Sequence, residues 1–506
     1  MSDTYIERIL RARVYDVAME SPLELAPRLS RRIGNSVLLK REDLQPVFSF
    51  KLRGAYNKIV HLSDSVAKRG VICASAGNHA QGVALAAKRR GISAVIVMPQ
   101  TTPNIKVSAV RDLGGEVVLH GDDYDSAYEH AQSIVREKNL AFVHPFDDPD
   151  VIAGQGTVAV EILRQSRDDV DAIFVPVGGG GLIAGIAVYA KYLNPRIKII
   201  GVEPVDAAAM HDSLQAKKRI TLERVGAFAD GVAVRKVGEE TFRLCREHVD
   251  EVVLVDTDEI CAGIQDIFED TRSIVEPAGA LAVAGVKKYC AKNHWQDKRV
   301  VAINSGANMN FDQLRYVAER SDVGQSREAL FAVEIPEQPG SFLKFCEILG
   351  QRAVTEFNYR FGTKERAQIF LGFALARGKE ERDEVIVKLR AAGYGVTDLT
   401  DNESAKLHVR YMVGGHVNGS VANERLYRFE FPERKGALLK FLQAVGTRWN
   451  ITLFHYRNHG SDYGRVLAGI DVPSSDTAQF LDHLNVLHYS YSDETNNPAY
   501  RIFLGS

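Results

Sequence analysis

Cysteine is scarce in this chain, and the few present stand apart. Cys73, Cys245, Cys261, Cys290 and Cys346 are odd in number and form no close pair. That spacing argues against a disulfide framework or a zinc cluster and predicts a reducing compartment. Long apolar runs are missing too, so no segment is expected to span a bilayer. The amino-terminal stretch, with Asp3, Glu7, Arg8 and Arg11, lacks the apolar core of a secretory signal. A cytoplasmic protein is expected. Neither sign of charge dominates: 63 Lys and Arg against 65 Asp and Glu leave a net −2, and nothing points to nucleic acid or an anionic membrane. The 506 residues, 45% hydrophobic and 25% charged, are those of an ordinary globular protein of two to four domains.

From about residue 35 to 310, short β-like runs alternate with longer helical patterns. The runs include residues 71–73, 94–98, 117–119, 172–175, 197–202 and 300–303; helical patterns cover 81–90 and 154–164. Such alternation predicts a parallel sheet covered by helices, with ligands at the carboxyl ends of strands. Residues 315–329 form a polar connector, helical in part. Beyond it the chain repeats itself. Residues 331–345 align with 427–441, an offset of 96, and Phe357-Asn358-Tyr359-Arg360 aligns with Phe454-His455-Tyr456-Arg457, an offset of 97. Each copy reads as a βαββαβ unit. Two copies are too few for a solenoid and suit a pair that shares a sheet or a ligand groove.

Four segments carry chemistry. In Val47-Phe48-Ser49-Phe50-Lys51-Leu52-Arg53-Gly54-Ala55 a lysine follows two aromatic rings and precedes a helix-like stretch. Desolvation at the mouth of an apolar pocket lowers a lysine's pKa, and a neutral amine forms a Schiff base with an aldehyde. The alternative is a solvated surface lysine. The second segment, Ala74-Ser75-Ala76-Gly77-Asn78-His79-Ala80-Gln81-Gly82, leads from a strand into a helix whose first N–H groups suit a carboxylate; its alternative is a plain N-cap. The third, Val175-Pro176-Val177-Gly178-Gly179-Gly180-Gly181-Leu182, brings backbone N–H groups to a phosphate. It also matches a dinucleotide pattern through Gly179, Gly181 and Ala184, with Glu203 about twenty residues on. On this segment alone a phosphomonoester and a nicotinamide cofactor are equally served. The fourth, Ile303-Asn304-Ser305-Gly306-Ala307-Asn308, sets a hydroxyl at a strand tip where it can bond a ring nitrogen; otherwise it is a turn.

In this order and spacing, the four segments resemble the pyridoxal-phosphate enzymes of the tryptophan-synthase β-subunit fold, specifically the serine/threonine dehydratases, over about residues 10–320. The repeated tail looks like the paired ACT-like regulatory module of the family's biosynthetic members. The resemblance implies an α/β protein of pyridoxal-phosphate fold type II, with two parallel α/β subdomains followed by two ACT-like subdomains. Boundaries are expected at 1–320 for the catalytic domain, 321–329 for the connector, and 330–412 and 426–506 for the regulatory pair. The implied activity is deamination of L-threonine to 2-oxobutanoate and ammonia, the committed step towards isoleucine, with L-serine as a further substrate. Isoleucine inhibits, valine activates, and the assembly is a homotetramer.

Residue by residue, the resemblance implies that Lys51 holds pyridoxal 5'-phosphate as a Schiff base, with Phe50 against one side of the ring. It gives Asn78 the cofactor's phenolic oxygen, Gly178, Gly179, Gly180, Gly181 and Leu182 the phosphate, and Ser305 the pyridine nitrogen. The loop of Ser75, Ala76, Gly77, Asn78 and His79 takes the substrate carboxylate. For effectors it points to Phe357, Tyr359, Phe454 and Tyr456, which are otherwise core strand residues. One departure concerns a cation held in related enzymes: Glu203 is present and Ala207 offers a carbonyl, but position 209 is alanine. One carboxylate is too little charge for tight divalent binding, so no divalent metal is expected. Rival readings are serine racemisation or β-replacement on the same scaffold, a nicotinamide oxidoreductase, and a non-catalytic amino-acid sensor.

Overall fold

The computed structural model describes residues 2–506 except 167–168, 227, 362–364, 414–420, 422, 433–436, 458–462, 487–488, 499–503 and 505–506. The Pro/Gly loop expected in the second repeat lies at 433–436, outside the described residues. The chain divides into two compact units, Met1–Gly324 and Gln325–Ser506.

The first unit holds the strands β1 (Leu23–Leu25), β2 (Ser36–Arg41), β3 (Val71–Ala74), β4 (Ala94–Met98), β5 (Glu116–Leu119), β6 (Ala141–Phe142), β7 (Ala172–Pro176), β8 (Lys198–Pro204), β9 (Glu251–Val255) and β10 (Arg299–Asn304). They form two sheets, of order β1-β2-β10-β7-β8-β9 and β5-β4-β3-β6. Apart from β1, which runs antiparallel to β2, all these pairings are parallel. Strands buried on both faces explain the unbroken apolar runs: every residue of β3, β4 and β7 is buried. β6, two residues long, is too short for its sequence to announce.

Helices cover both sheets. Those at Lys51–Val60 and Asn78–Arg90 begin at the lysine and at the asparagine singled out above. The helix Pro149–Ser166 lies against Lys51–Val60 and against Gly181–Leu193. A fully buried ionic network fastens the first of these contacts. Arg53 Nε donates to Glu42 Oε2 at 2.7 Å and its Nη1 to Glu161 Oε1 at 2.6 Å, while Lys40 Nζ reaches Glu161 Oε2 at 2.6 Å. Ser21, Thr157 and Gln165 satisfy the remaining polar atoms. Burial opposes the charge on Glu161, yet Arg53 and Lys40 hold its carboxyl below the usual range.

The polar segment after β10 is more ordered than a connector. Residues Gln313–Gly324 are helical, with Arg320 Nε 2.5 Å from Asp258 Oδ1, and the next strand starts at Glu328. Charged residues that read as a linker here belong to a helix packed on Thr257–Thr271, with Arg315 exposed and Arg320 buried against the neighbouring helix.

The second unit repeats strand–helix–strand–strand–helix–strand. Its strands are β11 (Glu328–Pro336), β12 (Val354–Arg360), β13 (Arg366–Ala374), β14 (Gly395–Asp398), β15 (Glu424–Pro432), β16 (Asn450–Arg457), β17 (Tyr463–Asp471) and β18 (Ser490–Asp493). They form one eight-stranded sheet of order β14-β11-β13-β12-β16-β17-β15-β18. The antiparallel pair β12–β16 joins the copies, with Phe357 opposite Tyr456 and Tyr359 opposite Phe454. The expectation of a shared sheet is met through this seam.

Replacing Glu161 by Leu leaves Arg53 and Lys40 buried with one carboxylate fewer. The loss expected is about 3–5 kcal/mol, read from urea unfolding of the first unit's transition in the full chain. An unchanged midpoint would show that the network does not hold these elements together.

Candidate active site

The loops at the carboxyl ends of β3, β7 and β10 carry three of the four segments, and the helix Lys51–Val60 carries the fourth. Ser49 bridges to Gly306, and Phe50 N–H donates to the Ser305 carbonyl at 3.2 Å. The lysine segment and the serine segment are therefore one backbone assembly. Lys51 Nζ lies 5.3 Å from the centroid of the Phe50 ring, and among the described residues its acceptor is the Pro145 carbonyl at a long 3.4 Å. Burial pulls the Lys51 pKa down to about 8, against a weak opposing pull from Glu276. Near neutral pH the neutral amine is thus within easy reach.

The glycine loop is built to receive an anion. Gly179, Gly180, Gly181 and Leu182 are buried. Among the described residues, the N–H groups of Gly178, Gly179 and Gly180 meet no acceptor. Buried unpaired amides at the start of a 13-residue helix call for an outside partner. The absence of side chains is required here. A Cβ on Gly179 would stand 2.2 Å from the Phe146 ring, and Gly180 sits at φ +96°. From behind, the Gly179 carbonyl is held by Thr241 Oγ1 at 2.6 Å. Asp147 in turn caps the helix Glu239–His248 that carries this threonine.

Asn78 donates from Nδ2 to Glu276 Oε1 at 2.6 Å and accepts at Oδ1 from Asn308 Nδ2 at 2.6 Å. Ser305 is buried, with Oγ 3.3 Å from the Ala278 carbonyl. The turn before Asn78 is held internally, Gly77 N–H donating to Ser75 Oγ at 3.3 Å, with Ala76 between them half-buried. His79 contributes its place in the helix rather than its ring. Its imidazole is buried, with Nε2 2.9 Å from the Val143 carbonyl, and burial together with nearby Lys51 drives its pKa down to about 3. A neutral ring turned into the core does no proton transfer at neutral pH.

A cleft of about 430 Å³ opens beside this assembly, with Phe48, Gln81, Lys106 and Asn308 among its walls; Lys51 and the glycine loop are not among them.

Glu203 does not face a ribose or a cation. It is buried at the end of β8, where it accepts N–H bonds from Met210 at 2.9 Å and His211 at 2.8 Å. Burial pushes its pKa up to about 8. Among the described residues, no group of three or more His, Cys, Asp or Glu is placed to hold a metal.

Four contributors escape sequence reading: Phe146, Thr241, Glu276 and the supporting role of Asn308. Asn308 closes a segment already singled out. The other three have no local pattern to mark them: Thr241 sits 62 residues from Gly179, Glu276 sits 198 from Asn78, and Phe146 lies in a loop outside the four segments.

In the second unit Phe357, Tyr359, Phe454 and Tyr456 come together at the β12–β16 seam, at 0% or 1% exposure. The Phe342 ring touches Phe357, Tyr359 and Phe454 at centroid distances of 5.4, 4.7 and 6.2 Å. They are core residues in this arrangement rather than walls of an open groove, because strand alternation turns all four beneath the helices of the two copies. Asn450 Nδ2 donates to Glu337 Oε1 at 2.8 Å beside them, and Tyr359 hydrogen-bonds the same carboxylate.

Residues 15–306 match a family model described as pyridoxal-phosphate dependent enzyme. Residues 319–409 and 416–504 match one described as the C-terminal regulatory domain of threonine dehydratase. The chain is 57% identical over 506 residues to the L-threonine dehydratase biosynthetic IlvA of Burkholderia multivorans, covering 99% of each. With the protein of that name from Escherichia coli the identity is 55% over 500 residues, covering 99% of this chain and 97% of the other. Among solved structures, the processed form of threonine deaminase isoform 2 from Solanum lycopersicum is similar at TM-score 0.62 and 53% identity. The match covers 63% of this chain and 93% of that one. Maize serine racemase is similar at TM-score 0.58 and 34% identity, over 62% and 96%.

Acylation of Lys51 in the cofactor-free protein should rise with pH through a midpoint near 8, because only the neutral amine reacts. Exposed lysines should follow at ~10.4. Peptide mass spectrometry after brief labelling reads both; a Lys51 midpoint that coincides with the surface lysines would refute its desolvation.

Proposed function

The chain belongs to the threonine dehydratases, pyridoxal-phosphate enzymes with a carboxyl-terminal regulatory region, and from that membership we propose the residue roles that follow. The enzyme removes water and then ammonia from L-threonine to give 2-oxobutanoate, the reaction that commits threonine carbon to isoleucine. The nicotinamide reading of the glycine loop and the sensor reading fall with this membership. When bound, pyridoxal phosphate supplies an aldehyde that condenses with amines and a conjugated ring that draws electrons from the substrate Cα.

The observation that carries the residue assignment is the convergence of a desolvated amine, a cradle of unpaired buried amides and an oriented asparagine on one chamber. The N–H groups of Gly178, Gly179, Gly180, Gly181 and Leu182 bind the phosphate. Ser305 faces the pyridine nitrogen, and as a neutral hydroxyl it leaves that nitrogen unprotonated. Asn78 donates to the ring oxygen, and Phe50 packs on one face of the ring. First-turn amides of the helix Asn78–Arg90, together with Ser75, Ala76, Gly77 and His79, hold the substrate carboxylate. Lys51 Nζ would take the Cα proton as general base, and the β-hydroxyl would leave with a proton as water. The released 2-aminocrotonate tautomerises and hydrolyses to the products in water. L-Serine, one methyl smaller, fits the same chemistry and is an expected second substrate.

Isoleucine binds the second unit and inhibits, and valine opposes it. Inhibition requires tighter binding to the inactive state. The proposed place is the edge of this seam, where two equivalent elements meet and where the Glu337 carboxylate, bound by Asn450 and Tyr359, is an acceptor for an ammonium group; Phe357, Tyr359, Phe454 and Tyr456 back it from the core. A homotetramer of closed symmetry is proposed from the family resemblance. Five free, buried cysteines support a cytoplasmic location, and among the described residues no helix is long and apolar enough to cross a membrane. No divalent metal is proposed.

Replacing Lys51 by Ala should lower 2-oxobutanoate release from L-threonine by at least ~10³-fold, measured by trapping the keto acid, while phosphate-loop binding of the cofactor persists. Near-normal turnover would refute the general-base role. A chain ending at Gly324 should release 2-oxobutanoate without responding to isoleucine. Intact inhibition in that truncation would remove the effector role from the second unit.

A further inference from the structure

The cofactor-facing asparagine is held from both ends. Asn78 Oδ1 accepts from Asn308 Nδ2, which donates also to the Val47 carbonyl at 2.8 Å and is thereby fixed as a donor. Asn78 Nδ2 donates to Glu276 Oε1 at 2.6 Å. Rotating the Asn78 amide by half a turn would set its NH2 against the Asn308 NH2 and its carbonyl against the Glu276 carboxylate. Two neighbours thus select one orientation. A primary amide has two N–H donors, and Glu276 uses one.

Considerable structure is spent on bringing that carboxylate in. Glu276 is 3% exposed and caps the helix Pro277–Lys292 from a position 198 residues beyond Asn78. Its own N–H is bound to the Gly306 carbonyl at 3.1 Å. Position 306 has no room for a side chain, since a Cβ there would stand 2.4 Å from Glu276 Oε1. The charged groups that face Glu276 are Asp230, Lys106 and Lys51, and Lys106 is itself paired with Asp230. Burial pushes the Glu276 pKa up to about 7, with Asp230 adding to the effect. In either protonation state Oε1 can accept the Asn78 N–H, so the acceptor matters more than the charge.

We propose that Glu276 is a positioning residue that fixes the Asn78 amide so that its second N–H stays free for the ring oxygen of the cofactor. The proposal rests on the reading of Asn78 given above. It predicts that Glu276 acts on the reaction only through Asn78.

The test uses the full-length holoenzyme and a double-variant cycle of Glu276→Ala, Asn78→Ala and their combination, with Glu276→Gln as the conservative control. Two quantities are read: the visible absorption band of the bound cofactor without substrate, and kcat and KM for L-threonine. Glu276→Ala should shift the band and lower kcat by about tenfold or more, moving KM less, while Glu276→Gln restores the band and most of kcat. In the Asn78→Ala background, Glu276→Ala should change neither quantity further. A wild-type band and kcat in Glu276→Ala would overturn the proposal, as would an equal loss in the Asn78→Ala background. An Asn78→Ala enzyme with an unmoved band would overturn the reading of Asn78 itself, and the proposal with it. Glu276→Leu, which keeps the bulk and lacks the acceptor, replaces the alanine variant if that protein does not accumulate folded; it should shift the band in the same way, and an unshifted band would count against the proposal.

Discussion

The reactive lysine stands where it does because of a buried charge network two residues away. Arg53, Glu42, Glu161 and Lys40 are fully buried, and each side chain meets an opposite charge within hydrogen-bonding distance. Isolated, any one of them would cost several kcal/mol to bury. Together they admit one arrangement of β2, the helix Lys51–Val60 and the helix Pro149–Ser166. Since Lys51 opens the first of those helices, the network sets where the amine emerges. An apolar contact of the same area would leave the helices freer to slide, because apolar packing has no direction.

From that anchor the rest of the chamber follows by backbone. The Ser49–Gly306 bridge locks the lysine segment to the end of β10, so amine and Ser305 are placed together. The end of β10 in turn holds the N–H of Glu276, and Glu276 orients Asn78. The glycine loop joins from another side through Phe146, one residue after the carbonyl that receives Lys51 Nζ. Each group is held by a partner far away in sequence, which suits a chamber that must keep donors aimed at a ligand without collapsing on itself.

The two units use opposite strategies. The first unit keeps unpaired amides and a desolvated amine together, at a cost in satisfaction of polar groups. The second satisfies an aromatic seam so fully that its four central rings lose all but 1% of their exposure. A seam of two equivalent strands is a place where a small ligand can change how two copies meet, since sheet register and ring packing there are shared by both. That is the kind of bistable contact through which regulation works.

Much of this was legible in the sequence because it is local. The parallel sheets announce themselves as apolar runs, the repeat as a 96-residue offset, and Lys51, Asn78, the glycines and Ser305 as short segments at strand ends. Backbone chemistry of this kind is encoded by neighbours in the chain: glycine permits close approach, and a helix start exposes N–H groups. The sequence by itself therefore determined the architecture and the segments that meet at the candidate site. It placed His79 in the carboxylate-binding turn but left its ring unplaced, because the Val143 carbonyl and burial decide that, not adjacent residues. It was silent on Glu276, Thr241 and Phe146, and it left Glu203 open between a dinucleotide site and a cation, missing its part in holding the N–H groups of Met210 and His211. Only tertiary structure decided these, since desolvation and hydrogen-bond partnership are properties of what surrounds a side chain, and those surroundings come from segments up to 198 residues apart.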